Sequence, residues 1–223
     1  MKSWNRIAVS CLIGGGCTLL AASAFGDVAY TTLAADGSFV GGGAVLGSGS
    51  DSEGAAFSFV PTITGDLSSI QVAIDWRVGY ATRDFHLSLM ANNPGGGPLT
   101  SAVLLQPQTV TSTGLFGLAP YNNATLFTYS GPELTLSAGT TYWLAATVDT
   151  GTSVVWCQSL VSIPAMKEYF SFNGGATYSS AGAAQTAAFQ VNVTPAPEPT
   201  TMTLFGAALL GVCAVARRRQ ARG

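Results

Sequence analysis

Charge is what this chain has least of. Asp, Glu, Lys and Arg make up 9% of its 223 residues, where an average soluble protein carries roughly a quarter. Its surface must therefore be wetted by hydroxyl and amide groups. Histidine occurs once, as His86, and cysteine at Cys11, Cys17, Cys157 and Cys213. That is too thin a set of soft ligands for a zinc centre, and we expect no metal-binding residues of that kind. Cys11 and Cys17 fall in an N-terminal apolar run and Cys213 in a C-terminal one, so Cys157 stands alone between them. No disulfide can form inside the body, which must hold by core burial even in an oxidising compartment. With no basic neighbour to activate it, Cys157 reads as a small buried hydrophobe.

Basic residues are scarce where a nucleic-acid surface would need them. From Asp27 to Thr194 there are ten carboxylates against Arg77, Arg83 and Lys167, a balance of −7. The affinity of a nucleic-acid binder rests on neutralising phosphates with Lys and Arg, so no nucleic-acid partner is expected. The catalytic constellations are missing as well. No Gly-x-Ser-x-Gly elbow accompanies His86 and Asp84, as a hydrolase triad would require. No spacing singles out a carboxylate pair for glycoside hydrolysis. The Gly41-Gly42-Gly43 and Gly47-Ser48-Gly49-Ser50 stretch lacks the following Lys-Ser/Thr and helix of a phosphate loop, and reads as an irregular lead into the fold. No catalytic residue is nominated, and the chain reads as a non-enzyme.

Both ends of the chain read as addresses. Residues 1–24 have a basic start at Lys2 and Arg6, an apolar stretch from Ile7 to Ala22, and Ala22-Ser23-Ala24 as a small-x-small cleavage site. These are the parts of a secretory signal peptide, which implies signal peptidase and the secretion machinery as partners. At the other end, Pro195-Ala196-Pro197-Glu198-Pro199 forms an extended spacer, because each proline fixes φ and removes a donor. Thr201 to Ala216 follows without charge, and then Arg217, Arg218 and Arg219. Sixteen helical residues span about 24 Å at ~1.5 Å each, against a hydrocarbon core of about 30 Å. The run predicts a short transmembrane helix that spans with thinning of the bilayer, the arginines staying on the cytoplasmic side.

Between the ends, residues 25–194 form one domain. Short period-two segments broken by Gly, Pro and Asn predict antiparallel strands. Leu67 to Arg77 sets Ile70, Val72, Ile74 and Trp76 on one face, and Asp84 to Met90 sets Phe85, Leu87 and Leu89 opposite His86, Ser88 and Met90. Further strands are expected over 55–60, 102–106, 125–129, 141–148, 153–158, 169–172 and 187–193, and more weakly over 28–33 and 39–46. Asn92-Asn93-Pro94-Gly95-Gly96-Gly97-Pro98 must be a tight loop. About eight to ten such strands without a fixed repeat favour an all-β, antiparallel two-sheet sandwich, jelly-roll-like in its nearest variant.

The order Pro197-Glu198-Pro199, apolar helix, Arg217-Arg218-Arg219, paired with a signal peptide, resembles the PEP-CTERM sorting signal of exopolysaccharide-producing Gram-negative bacteria. The resemblance covers the tail, residues 195–223. It implies that the protein is held transiently at the inner membrane until an exosortase-type sorting peptidase acts. The body is then released or transferred to the cell surface or a polysaccharide-rich matrix. Pro197, Glu198, Pro199 and Thr200 would be the sorting element and Arg217, Arg218 and Arg219 the stop. Within the body, residues 85–95 and 134–144 resemble the choice-of-anchor β domains that occur beside several anchoring tails. That resemblance implies an extracellular sandwich and adds no site.

The aromatics are the strongest binding lead in the body. On the 141–148 strand Trp143, Ala145 and Thr147 oppose Tyr142, Leu144, Ala146 and Val148, and on 153–158 Trp156 shares a face with Val154 and Gln158. An exposed Trp143 or Trp156 would stack on a sugar ring of an extracellular polysaccharide; the competing expectation is that both fill a sheet interior. Calcium is the one cofactor with candidate loops, at Asp36-Gly37, Asp51-Ser52-Glu53 and Asp149-Thr150-Gly151. Each also reads as an ordinary turn, and no cofactor is expected. Asn123-Ala124-Thr125 and Asn192-Val193-Thr194 match the glycosylation pattern, which carries little weight in a bacterial export substrate.

Overall fold

The computed structural model describes residues 26–47, 53–76, 84–111, 125–129, 134–149, 153–163, 166–182 and 185–195. Residues 1–24, expected to be a leader, and the apolar run and arginines of the tail lie outside the described residues. The described chain is all-β and contains no helix.

In chain order the strands are β1 (Asp27–Thr31), β2 (Val40–Gly47), β3 (Gly54–Phe59), β4 (Gly65–Trp76), β5 (Asp84–Asn92), β6 (Pro98–Thr111), β7 (Thr125–Tyr129), β8 (Thr135–Leu136), β9 (Tyr142–Val148), β10 (Ser153–Gln158), β11 (Glu168–Ser171), β12 (Ser179–Ser180) and β13 (Phe189–Pro195). One sheet runs β1-β13-β4-β10-β2, with β7 and β8 also paired to β4. The other runs β12-β11-β3-β9-β5-β6, and every ladder is antiparallel. From β2 to β5 each successive strand changes sheet, so the sandwich is laced across its core rather than built as two separate meanders.

The period-two reading explains which side chains meet between the sheets. Phe57 and Phe59 of β3, Ile70, Val72 and Ile74 of β4, and Phe85, Leu87 and Leu89 of β5 enter one cluster. Tyr142, Leu144, Ala146 and Val148 of β9, Val154 and Trp156 of β10, and Phe189, Val191 and Val193 of β13 complete it. Trp156 meets Phe57 edge to face at 4.9 Å between ring centroids and Phe189 at 6.1 Å. Each large side chain buried here contributes about 1.5–3 kcal/mol, before the entropy of ordering it is set against that gain. The side chain of Trp76, expected on this face, lies outside the described residues.

The two outer faces are less open than half-buried strands lead one to expect. Every residue of β3 is buried, as are nearly all those of β9 and β10. On the β4 side, Ala73, Cys157 and Ala188 are small enough to be roofed by Leu33 and Phe39. On the β3 side, Ala56 and Ala145 are covered by Trp143, Met90, Val103, Tyr169 and Tyr178. Thr32 clamps β1 to β13: its hydroxyl donates to the Ala187 carbonyl at 2.6 Å and accepts from the Phe189 N–H at 2.8 Å.

The glycine-rich lead, expected to be irregular, is a strand as far as Gly47, and residues 48–50 lie outside the described residues. Val40–Gly47 pairs with β10, with a register shift opposite Cys157 and Gln158 and Gly42 at φ +94°. A Cβ on Gly43 would lie 1.9 Å from the Trp156 carbonyl oxygen, so only glycine lets the two backbones approach this closely.

Candidate functional site

The outer face of the β3-β9-β5 sheet carries a cleft of about 370 Å³ at one end. Ser58 and Val60 come from β3 and the residue after it, Thr141 and Trp143 from the start of β9, and Asn92 from the end of β5. Pro94, Gly95 and Gly96 belong to the β5–β6 turn, and Lys167 precedes β11. The turn is built as its sequence dictates. Asn93 Oδ1 accepts the Gly95 N–H at 3.0 Å, the Asn93 carbonyl accepts the Gly96 N–H at 2.8 Å, and Gly96 and Gly97 adopt φ of +85° and +91°.

Trp143 forms the floor. Its ring lies edge to face with Tyr169 at 4.9 Å, and its indole N–H donates to Asn92 Oδ1 at 2.8 Å. Only 1% of the residue is exposed. Tyr169 in turn underlies the β5–β6 turn, where a Cβ on Gly97 would come within 2.9 Å of its ring. Ser58 and Lys167 are tied through their backbones: the Ser58 N–H donates to the Lys167 carbonyl at 3.0 Å, and Ser58 Oγ accepts the Lys167 N–H at 2.8 Å. The Lys167 side chain is exposed, and among the described residues it is the sole Lys or Arg.

The cleft wall is consequently rich in donors. Asn92 has spent its carbonyl on the indole and retains its amide N–H groups; Ser58 has spent a lone pair and retains its hydroxyl proton; Thr141 and Lys167 add a hydroxyl and an ammonium. No lining residue is a carboxylate.

Of the two nominated tryptophans, Trp156 offers no surface. It is fully buried in the inter-sheet core and donates its indole N–H to the Ala188 carbonyl at 3.3 Å. Of the two readings of Trp156, the structure has the interior one and not the glycan-contacting one: it shares the inward face with Val154, and the aromatic rings of Phe57 and Phe189 close around it. Trp143 faces away from that core, as the alternation on β9 requires, but it is roofed by side chains from β5, β6 and β11, so a flat stacking platform is absent there too.

His86 pairs with Asp149 across the sheet. The register sets His86 opposite Thr147, two residues before Asp149, and Nε2 lies 3.0 Å from Asp149 Oδ1. Cys157 is fully buried. Desolvation, with the neighbouring Asp75 carboxylate adding to it, pushes its thiol up to about 12. Asp36 accepts the Ser38 N–H at 2.9 Å in a turn with Gly37 at φ +79°, and hydrogen bonds from Ser38 lower its pKa. Among the described residues no three His, Cys, Asp or Glu side chains converge on a metal position. Asp51, Thr150, Gly151 and Asn123 lie outside the described residues. Asn192 is buried and donates to Ser69 Oγ at 2.8 Å, which removes it as an acceptor for glycans.

The sorting residues Pro197, Glu198, Pro199, Thr200, Arg217, Arg218 and Arg219 also lie outside the described residues, but the place where the tail departs is clear. β13 runs as far as Pro195, opposite Gly65 of β4. No curated protein and no solved structure matches this chain. Residues 195–219 match the family model of the PEP-CTERM protein-sorting motif, which marks the chain as an exported protein sorted through its C-terminal tail by exosortase-type machinery.

Proposed function

We propose that the sandwich is the cargo of that tail: a non-enzymatic module delivered to the surface or matrix of a Gram-negative bacterium, where it serves exopolysaccharide or biofilm architecture. What supports this reading is that the sorting motif begins at the last residue of β13. The boundary of the motif and the end of the last strand thus coincide at Pro195. In this scheme residues 1–24 are a cleaved leader, the apolar run holds the chain at the inner membrane for a time, and Arg217, Arg218 and Arg219 stop its transfer.

The test is the mature mass and location of the protein in cells with and without the sorting peptidase. Glu198→Gln, or deletion of residues 217–219, leaves the fold intact and alters processing or retention. If both variants reach the same compartment with the same mass as the parent, the sorting scheme is wrong.

A second reading, a carbohydrate-binding module, is favoured by the cleft over Trp143. Its small, hydroxyl- and amide-lined form suits a polar ring more than an apolar ligand.

A further inference from the structure

The geometry points to an acidic saccharide, a sugar residue carrying a carboxylate, as the ligand of the Ser58–Asn92–Thr141–Lys167 cleft. This rests on the carbohydrate-binding reading and gives it a chemical class. Three observations carry it.

The first is the sign of the hydrogen-bonding groups. Asn92 amide, Ser58 hydroxyl, Thr141 hydroxyl and Lys167 ammonium all have protons to give, and among the described residues none of these protons has an acceptor. A ligand that satisfies such a wall must be rich in acceptors. Ring, glycosidic and hydroxyl oxygens meet that need, and a carboxylate meets it best, because it accepts only.

The second is charge. The body from Asp27 to Thr194 is strongly acidic and repels anions over most of its surface. Lys167 stands at the cleft with no carboxylate partner among the described residues, and no acidic side chain joins it in the lining. An unneutralised ammonium beside unspent donors is a place where an anion is attracted in an otherwise unfavourable field.

The third is size and preorganisation. About 370 Å³ falls at the small end of the range of ligand sites, roughly 300–1,000 Å³. The wall is fixed in advance: the Ser58–Lys167 backbone pair, the Asn93 turn and the Trp143–Asn92 bond all hold without a ligand. Trp143 is here a positioning residue. By engaging Asn92 Oδ1 it fixes which end of the amide is left for the ligand.

The experiment is titration calorimetry of the exported, processed protein with a galacturonic acid oligomer, the matching neutral galactose oligomer, and inorganic phosphate. The expected result is binding of the galacturonate oligomer that weakens with salt, with little binding of the other two. Lys167→Gln and Asn92→Ala each lower that affinity about tenfold to a hundredfold, the range for a lost charge-assisted hydrogen bond. Trp143→Phe, which keeps an aromatic ring of smaller size and loses the N–H, lowers affinity too. Combined with Asn92→Ala it adds nothing further, whereas a merely structural Trp143 would give additive losses. Equal binding of the neutral oligomer, or unchanged affinity in Lys167→Gln, overturns the acidic class and leaves the carbohydrate reading standing. Phosphate binding as tight as galacturonate overturns the saccharide part. Binding of none of the three overturns both, while the sorting scheme is judged separately by mature mass.

Discussion

The indole N–H of Trp143 and Oδ1 of Asn92 are 2.8 Å apart, joining the second residue of β9 to the last residue of β5 across the rim of the cleft. This bond and the ring packing beneath it are separable. Trp143→Phe should cost about 1 kcal/mol, the net worth of a typical hydrogen bond. Trp143→Ala should cost about 3–5 kcal/mol, because it also empties the space over Ala56 and Ala145. Urea unfolding of the two variants checks the split; equal losses would mean that the bond, and not the packing, holds the ring.

Glycine at position 43 is fixed by the Trp156 carbonyl, 1.9 Å from where a Cβ would stand. Gly43→Ala should push β2 away from β10 and destabilise by roughly 1–3 kcal/mol, the usual cost of overpacking. Amide exchange should quicken along Val40–Gly47 while β4 and β13 stay protected. Uniform loss of protection would show instead that the β2 edge is integral to the whole core.

Much of this arrangement is legible in the sequence, and the reasons for the rest are physical. The alternation in β9 places Tyr142, Leu144, Ala146 and Val148 inward and Trp143 outward, because side-chain direction in a strand is a local property. The burial of Trp143 is not local: its cover comes from Met90, Val103, Tyr169 and Tyr178, residues of other elements. Asp149, which His86 meets, lies 63 residues away for the same reason. Residues 41–43 look irregular because glycine has low strand propensity, and the force that holds them in β2 is the close approach of β10. The two-residue strands β8 and β12 are too short to show any period. The cleft, assembled from four separate stretches of chain, has no signature beyond the turn Asn93–Gly97 and a lone Lys167.

Glu168 makes stability depend on pH. It is buried, Oε2 accepts the Gln185 N–H at 2.8 Å, and Oε1 has no partner among the described residues. Desolvation raises its pKa above the usual carboxylate value, and the Gln185 hydrogen bond only partly opposes this. The folded state therefore binds the proton more tightly than the unfolded state. This group's contribution is fully favourable below the unfolded carboxylate value, and it is lost as pH rises through the raised folded value. Glu168→Gln should remove that downward slope and leave the variant at least as stable as the parent at neutral pH. A parent whose stability climbs through the same window faster than the variant's would contradict the assignment.

Cys157 should be inert in the native state. With its thiol pushed up to about 12 and no exposed surface, almost no thiolate is present or reachable at pH 8. Iodoacetamide should label the Cys157 peptide only after denaturant unfolds the sandwich, as read by mass spectrometry. Labelling at a comparable rate without denaturant would mean that β10 opens locally, against its place between β4 and β2.

The fold also limits where the tail is cut. β13 is flanked on both sides, by β1 and β4, and Val191 and Val193 are fully buried between the sheets. Cleavage before Pro195 would free the end of an interior strand, expose that apolar surface and break ladder bonds to Asp66 and Gly65. A cut after Pro195 leaves these ladder bonds whole, and Pro197-Glu198-Pro199 follows after a single residue, Ala196. Two residues of extended chain reach at most about 7 Å, so a peptidase that recognises Pro197-Glu198-Pro199 would work against the end of the sandwich where β4 begins and β13 finishes. The mature C-terminus, read from its terminal peptide, should lie after Pro195. Inserting a Gly-Ser linker of about six residues after Ala196 should leave the unfolding midpoint unchanged while shifting the rate of processing. A mature end inside β13 would mean that cutting precedes folding.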